Sequence, residues 1–166
     1  MTLISILVSI ILIWFDQFTK KIVTDIHNGV TAVYVLGDSF LLDLFGITYV
    51  ENRGAAFGIM QGGRTFFLII TPIFLAIMIY YYIKLPKDKV NNWVRVSLVL
   101  IFAGAIGNFI DRVRDAYVTD FIYFKFIDFP VFNFADVFVV TGTILLGILT
   151  LFFIKDEPPE EVINNG

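Results

Sequence analysis

Carboxylates are the side chains of this sequence best suited to carry out chemistry, and five of its 15 acidic residues lie in one stretch. Residues 111–136 hold Asp111, Arg112, Arg114, Asp115, Asp120, Asp128 and Asp136. Two carboxylates brought close together cannot both ionise, so they share a proton. One of them can then deprotonate a water molecule while the other protonates a leaving amine. The stretch therefore predicts hydrolysis of a peptide bond by paired aspartates, a reaction that needs no metal.

Other hydrolytic chemistries lack the residues they require. The chain has no Cys, and its single histidine, His27, lies in a polar stretch. It contains neither the H-E-x-x-H segment of zinc proteases nor a G-x-S-x-G segment. A Ser–Lys pair stays open as an alternative, although Ser39 follows Gly37 and Asp38 and is better explained by a turn.

Some of the charged residues have a structural explanation as well. Asp16 and Lys20 are four residues apart, and this spacing predicts an ion pair across one helical turn. Asp111 has two candidate partners close by in the chain, Arg112 and Arg114. We expect these pairs mainly to stabilise helix ends.

The remaining polar residues are harder to explain by structure alone. Asp136 suits the N-cap of a helix. Asp120 lies among apolar residues in a segment that resembles a strand, where Asp is disfavoured. Asn108 and Asn133 need hydrogen-bond partners if they are buried, and the clustered Asp and Arg side chains could supply them.

The composition indicates that these residues are positioned by membrane-spanning helices. The chain has 166 residues, of which 58% are apolar and only 16% are charged, and its mean hydropathy is +0.83. A soluble globule of this size cannot bury so much apolar surface. The net charge of −3 also excludes a nucleic-acid-binding surface. We therefore expect a single integral-membrane domain over residues 1–166.

Four segments are long and apolar enough to span a bilayer, for which about 20 residues are needed. They cover residues 3–22, 65–83, 92–110 and 137–154. The short joint between the second and third spans carries Lys84, Lys87, Lys89 and Arg95, which predicts that it faces the cytoplasm. Both termini, including the tail at 155–166, then lie on the same side. The other end of the bundle holds seven basic residues, but they are spread over longer segments.

The loops on the outer side are predicted to have structure of their own. Segments 30–36, 40–50 and 117–132 are rich in β-branched and aromatic residues, which favour strands. Residues 54–63 have the composition of a short interfacial helix. The predicted fold is an α-helical membrane protein with four transmembrane helices, a small extracytoplasmic β-sheet and a short interfacial helix.

Five short motifs occur in a characteristic order along the chain. They are Asp16-Gln17-Phe18-Thr19-Lys20, Asn52-Arg53-Gly54-Ala55-Ala56-Phe57, Gly107-Asn108-Phe109-Ile110-Asp111-Arg112, Val118-Thr119-Asp120-Phe121 and Phe132-Asn133-Phe134-Ala135-Asp136. Together with the four spans and the basic joint, they closely resemble lipoprotein signal peptidase, the bacterial signal peptidase II. The resemblance covers nearly the whole chain.

The resemblance implies an aspartyl endopeptidase of the bacterial cytoplasmic membrane with its active site near the outer leaflet. Its substrates would be prolipoproteins, cut just before a cysteine that already carries diacylglycerol. The catalytic pair falls on Asp120 and Asp136, and no metal or other cofactor is implied. The positions that line or order the site are Asn52, Gly54, Asn108, Arg112, Asn133 and Ala135. Those assigned mainly to stability are Asp16, Lys20 and Asp111.

Two positions depart from the family pattern. Ala116 stands where the family usually has Gly, and Val137 stands where Ser often follows the catalytic Asp. Neither belongs to the predicted catalytic pair, so both bear on local loop geometry.

Two other functions stay open from the residues alone. The aspartate cluster could relay protons or cations in a small four-span transporter, or bind Mg²⁺ in a lipid transferase. A transporter would need polar residues along the middle of its spans, and the second and fourth spans have almost none. EDTA would inactivate a Mg²⁺ enzyme and spare an aspartyl protease. The sequence does not indicate which lipoproteins would be processed, and a monomer suffices for the chemistry.

Overall fold

The computed structural model describes residues 1–29, 44–54 and 59–153. In these residues the elements follow in the order α1 (Leu3–His27), β1 (Phe45–Asn52), α2 (Arg64–Lys84), α3 (Lys89–Arg114), β2 (Val118–Phe124) and α4 (Phe134–Phe152). Each of these helices is long and apolar enough to cross a membrane. The four predicted spans are confirmed.

Three of the helices extend beyond their predicted spans into polar sequence. α1 continues past residue 22 to His27, and α3 continues past residue 110 to Arg114, so Asp111 lies within the helix. α4 begins at Phe134, three residues before the predicted start, because Asn133 caps it. In the α3 extension, Asp111 forms a buried ion pair with Lys20 of α1, and an apolar pattern does not register such a pair.

Helix α3 is the centre of the bundle, since it packs against α1, α2 and α4. Its closest neighbour is α4, and glycines allow the two backbones to approach. A Cβ atom on Gly104 would lie 2.2 Å from the carbonyl oxygen of Ala135, and one on Gly142 would lie 2.7 Å from that of Ser97. This packing fixes the start of α4 against the last turns of α3.

A small antiparallel sheet, formed by β1 and β2 in the described residues, covers one end of the bundle. Its register pairs Val50 with Asp120 and Asn52 with Val118. Phe121 and Ile122 of β2 pack on Val23 of α1, which docks the sheet onto the helices.

The strands differ from their predicted bounds. The predicted segment 117–132 forms a strand only over Val118–Phe124, and Phe132 returns to pair with Ile122. The predicted strand at 30–36 and the first part of the one at 40–50 lie outside the described residues. The same holds for residues 55–58 of the predicted interfacial helix, while residues 59–63 form turns.

Candidate active site

Asp120 lies on β2 and is buried between two asparagine side chains. Its exposed fraction is 2%. Asn52 Nδ2 donates to Asp120 Oδ2 at 2.9 Å, and Asn133 Nδ2 donates to Asp120 Oδ1 at 2.7 Å. Asn52 is two residues beyond Val50, the cross-strand partner of Asp120, so the sheet register places the Asn52 amide beside the carboxylate.

Asp136 lies in the first turn of α4, where its carboxylate also accepts two hydrogen bonds. Asn108 Nδ2 donates to Asp136 Oδ1 at 2.8 Å, and the backbone N–H of Asn133 donates to Asp136 Oδ2 at 3.1 Å. Asn133 is the N-cap and forms a capping box with Asp136. The sequence-based suggestion that Asp136 itself caps the helix is therefore wrong, because Asp136 occupies the third position inside it.

Asn133, whose side chain is fully buried, connects the two carboxylates. Its amide nitrogen donates to Asp120, its backbone nitrogen donates to Asp136, and its amide oxygen accepts from the backbone N–H of Asp136. Two aspartates sixteen positions apart in sequence are thus hydrogen-bonded to the same residue. This is the convergence of carboxylates that the sequence predicts for stretch 111–136.

A cavity of about 700 Å³ opens onto both aspartates. Its polar end contains Asn52, Asn108 and Arg112 in addition to Asp120 and Asp136. Its remaining lining is mostly apolar and includes the side chains of Phe124, Phe129, Phe132, Val139 and Val140. The cavity can therefore accommodate an apolar ligand whose polar portion reaches the carboxylates.

The environment of Asp120 favours its protonated form. Burial, and secondarily the charge of Asp136, raise the pKa of Asp120 to about 7, although the asparagine amides and Lys20 oppose the shift. A carboxyl group with this pKa can hold a proton near neutral pH. The pair can thus contain one acid and one base at the same time.

Arg112 and Gly54 hold the region around residue 54 against the end of α3. The guanidinium group of Arg112 donates to the carbonyl of Gly54 at 2.8 Å and to that of Asn108 at 3.3 Å, and it lies 4.4 Å from the ring centroid of Phe67. The N–H of Gly54 donates to Asn52 Oδ1 at 2.9 Å. A Cβ on Gly54 would come within 2.6 Å of the carbonyl oxygen of Ile59, so the turn needs glycine there.

A buried ion cluster lies directly behind the aspartates. Lys20 Nζ is 2.9 Å from Asp16 Oδ2, which confirms the predicted pair, and 2.8 Å from Asp111 Oδ2. Asp111 also lies 3.5 Å from Arg114. Of its two predicted partners Asp111 thus meets Arg114, whereas the guanidinium of Arg112 turns toward backbone carbonyls. Lys20, for which the sequence predicted only Asp16 as a partner, lies closer to Asp111 than Arg114 does.

The ion cluster also reaches the start of α4. The backbone N–H of Ala135 donates to Asp16 Oδ1 at 2.9 Å. A helix N-terminus has free N–H groups that favour a nearby anion. Asp16 therefore anchors the turn that carries Asp136.

Gln17 is a polar residue of this region to which the sequence reading gave no role. Its Nε2 donates to Asp111 Oδ1 at 2.8 Å and to the carbonyl of Gly107 at 3.1 Å, and its Oε1 accepts from Arg114. An amide side chain next to Asp16 in a mostly apolar helix could have indicated a buried hydrogen-bond network.

Comparison with known proteins identifies the family. The family model described as signal peptidase (SPase) II matches residues 8–153. The chain belongs to the signal peptidase II family. The lipoprotein signal peptidase of Caldanaerobacter subterraneus subsp. tengcongensis is 44% identical over 149 residues, which are 89% of this chain and 96% of that relative. The lipoprotein signal peptidase of Clostridioides difficile (strain 630) is 41% identical over 91% of this chain and 97% of its own.

A solved structure has the same fold. A bacterial membrane enzyme determined by the in meso method at 2.3 Å resolution superposes with a TM-score of 0.76 and 39% sequence identity. The match covers 95% of this chain and 93% of that one. The family that the five motifs predicted is confirmed, and the chain is a multi-pass bacterial membrane protein.

Proposed function

We propose that this member of the signal peptidase II family is a membrane aspartic endopeptidase that removes signal peptides from prolipoproteins. The observation that carries the proposal is the pair Asp120 and Asp136, both hydrogen-bonded to Asn133 at the polar end of an apolar cavity. The apolar part suits the diacylglycerol of a lipid-modified cysteine, and the cut would fall just before that cysteine. One chain supplies both carboxylates, so a monomer is sufficient.

The reaction divides the acid and base roles between the two aspartates. Asp136, as carboxylate, accepts a proton from a water molecule, whose oxygen forms a bond to the carbonyl carbon of the scissile peptide. Asp120, which holds the proton at neutral pH, gives it to the nitrogen of the leaving amine as the C–N bond breaks. The proton gained by Asp136 then passes to Asp120 and restores the starting state.

The proposed roles of the surrounding residues follow from their contacts. Asn52 and Asn133 donate to Asp120, and Asn108 donates to Asp136, so these amides orient the carboxylates. Arg112 lines the cavity and holds the backbone of Gly54, and Ala135 places the first turn of α4. Asp16 and Asp111 support the fold through Lys20.

We also propose that the enzyme lies in the bacterial cytoplasmic membrane with its active site near the outer leaflet and both termini in the cytoplasm. The support is the short joint between α2 and α3, at the end of the bundle away from the sheet. Lys84 ends α2, Lys87 lies in the joint and Lys89 begins α3. At the outer leaflet, the acyl chains of a substrate can remain in the bilayer while its peptide reaches the aspartates.

The transporter and the Mg²⁺-dependent transferase are not favoured. Family membership favours proteolysis over both of them. Cleavage that persists in excess EDTA would agree with the aspartyl chemistry, and loss of cleavage that Mg²⁺ restores would favour the transferase class.

The test of the proposal is to replace each aspartate with its amide. Asn is nearly isosteric with Asp but cannot act as a base, so Asp120→Asn and Asp136→Asn should each lower the rate of cleavage of a diacylglyceryl-modified prolipoprotein by about 10²–10⁴-fold or more. The double variant should be hardly slower than either single one, because the two groups act as a unit. Asp128→Asn is the matched control, since Asp128 is exposed in the connection between β2 and α4.

Each purified variant needs a folding control, for which thermal unfolding in detergent serves. Near-wild-type turnover by a folded Asp120→Asn protein would refute the pairing of Asp120 with Asp136. Asp111 would then be the next partner to test with Asp136.

A further inference from the structure

Lys20 is a buried cation close to the proposed catalytic pair, and its contacts go beyond the ion cluster. Its exposed fraction is 1%. Among the described residues its ammonium group donates to three oxygens, those of Asp16 at 2.9 Å, Asp111 at 2.8 Å and Asn108 at 2.9 Å. An ammonium group has three protons, so each proton has its own acceptor. Two of these contacts are ion pairs, and the third is a hydrogen bond to an amide.

The contact with Asn108 fixes which way its amide faces. An Asn side chain has an accepting oxygen and a donating nitrogen of nearly equal size. Because Lys20 can only donate, the amide oxygen of Asn108 must face Lys20, and it also accepts from Asn133 Nδ2 at 3.1 Å. The amide nitrogen is thereby turned toward Asp136, to which it donates at 2.8 Å.

We propose that Lys20 is a positioning residue for the carboxylate pair, because its ammonium group holds the Asn108 amide in the orientation that donates to Asp136. The inference rests on the proposed function, in which Asp136 activates the water molecule. It adds to the role of Lys20, which the family resemblance assigned mainly to stability. Among the described residues, α1 contributes nothing to the lining of the cavity, so Lys20 acts through Asn108.

The charges around the pair determine which measurement can separate positioning from stability. Arg112 of α3 lines the same cavity, while Lys20 and Asp16 of α1 and Asp111 of α3 lie behind it. A variant that removes the Lys20 charge alone also leaves two buried carboxylates without their cation, which destabilises the fold. The test therefore needs variants that keep the charge balance.

Lys20→Arg keeps the positive charge and should keep the ion pairs with Asp16 and Asp111. A planar guanidinium group cannot reproduce three donors that diverge from one nitrogen atom, so the bond to Asn108 is lost. We expect a folded protein whose kcat falls about tenfold or more, the value of one hydrogen bond to a charged group, with KM within about twofold of wild type.

The pair variant Lys20→Met with Asp111→Asn removes one positive and one negative charge, so the net charge of the cluster is unchanged. Without a fixed donor from Asn108, the Asp136 carboxylate is no longer held in one orientation. We expect kcat to fall about tenfold or more in this variant too, with KM within about twofold of wild type. Lys21→Met is the matched control, because Lys21 is the next lysine of the same helix, is 72% exposed and pairs with Asp25. It should leave kcat, KM, the pH profile and Tm unchanged.

The readout is cleavage of a diacylglyceryl-modified prolipoprotein per folded molecule, with folded enzyme counted by size exclusion and thermal unfolding. A lower kcat per folded molecule with KM within about twofold of wild type in either Lys20 variant supports positioning. Wild-type kcat per folded molecule in both variants would overturn the proposal, as would the loss of folded protein in both, because Lys20 would then act on the fold alone. Failure of the proposed function is seen separately, as cleavage retained by Asp120→Asn or Asp136→Asn.

Discussion

At the scale of single residues, the site is organised by amide groups as much as by its carboxylates. Asn133 donates to Asp120 through its side chain and caps the helix that carries Asp136. An Asp at this position could cap the helix equally well but would place a third carboxylate beside the pair. The amide is needed because it can donate to one aspartate and accept from the backbone of the other.

The raised pKa of Asp120 predicts how activity depends on pH. Burial and the nearby charge of Asp136 put this pKa at about 7. As pH rises through this value Asp120 loses the proton that the leaving amine needs, so kcat/KM should fall on the alkaline side with an apparent midpoint near 7. The resulting pH profile should be bell-shaped, and its two midpoints belong to the pair and not to either residue alone. The measurement is cleavage across pH 4 to 9 with the enzyme shown to stay folded, and a rate that stays constant up to pH 9 would argue against Asp120 as the acid.

At the scale of elements, the turn between α3 and β2 contains a strained residue. Ala116 has a φ of +67°, in the left-handed region that favours glycine. It is one of the two positions at which the family resemblance led us to expect a different residue, here Gly. At this position the Cβ atom of Ala116 makes the backbone conformation less favourable than it would be for Gly.

Replacing Ala116 with Gly should stabilise the protein. Relief of the left-handed conformation is worth about 1 kcal/mol, less the extra freedom that Gly has in the unfolded chain. The matched control is Ala105→Gly within α3, where the same substitution should cost about 1 kcal/mol of helix stability. Thermal unfolding in detergent compares the two. Equal losses of stability in both would show that the turn stores no strain.

The packing of α3 on α4 predicts a second contrast between matched substitutions. A Cβ at Gly104 would meet the backbone of Ala135 at 2.2 Å, whereas nothing lies within 4 Å of one at Gly147. Gly104→Ala should therefore push the first turn of α4 and Asp136 out of place, with a loss of about 1–3 kcal/mol and of most activity. Gly147→Ala should be neutral or stabilising by up to about 1 kcal/mol. Unfolding and cleavage assays measure both, and a stable, active Gly104→Ala protein would contradict the tight contact.

The sequence predicted the elements better than their ends. The four spans follow from long apolar runs, which are local features. The extension of α3 to Arg114 depends on Asp111 being paired with Lys20, a residue on another helix. The strand bounds depend on a cross-strand register that pairs Val50 with Asp120. Both are contacts between residues far apart in the chain.

For the candidate site too, the sequence predicted local features and not the contacts between distant residues. The motifs indicate the residue types, and the aspartate cluster predicts the chemistry. The partner of each polar group, such as Asn108 between Lys20 and Asp136, emerges only when three helices are packed together. Gln17 was missed for this reason, since its partners lie about ninety positions further along the chain.

At the scale of the whole molecule, the two ends of the bundle differ in how their basic residues are used. At the end with the sheet, Lys20 is buried, Arg112 and Arg64 donate to backbone carbonyls, and Arg114 pairs with Asp115. At the other end, Lys84, Lys87 and Lys89 are exposed in a short joint. Exposed basic residues in short loops determine orientation, so the joint should outweigh the larger number of basic residues at the opposite end.

This difference predicts the topology, which can be tested because the chain contains no Cys. Single cysteines at Lys87 and at Asp128 fall on exposed positions at opposite ends of the bundle. A membrane-impermeant maleimide added to intact spheroplasts should label Asp128→Cys at once and Lys87→Cys only after the membrane is permeabilised. The unsubstituted protein is the control for background, and retained cleavage shows that each variant is folded. Labelling of Lys87→Cys alone in intact spheroplasts would mean that the orientation is the reverse of the one proposed. The aspartate pair would then lie on the cytoplasmic side, where it could not cut the signal peptide of an exported prolipoprotein at the outer leaflet.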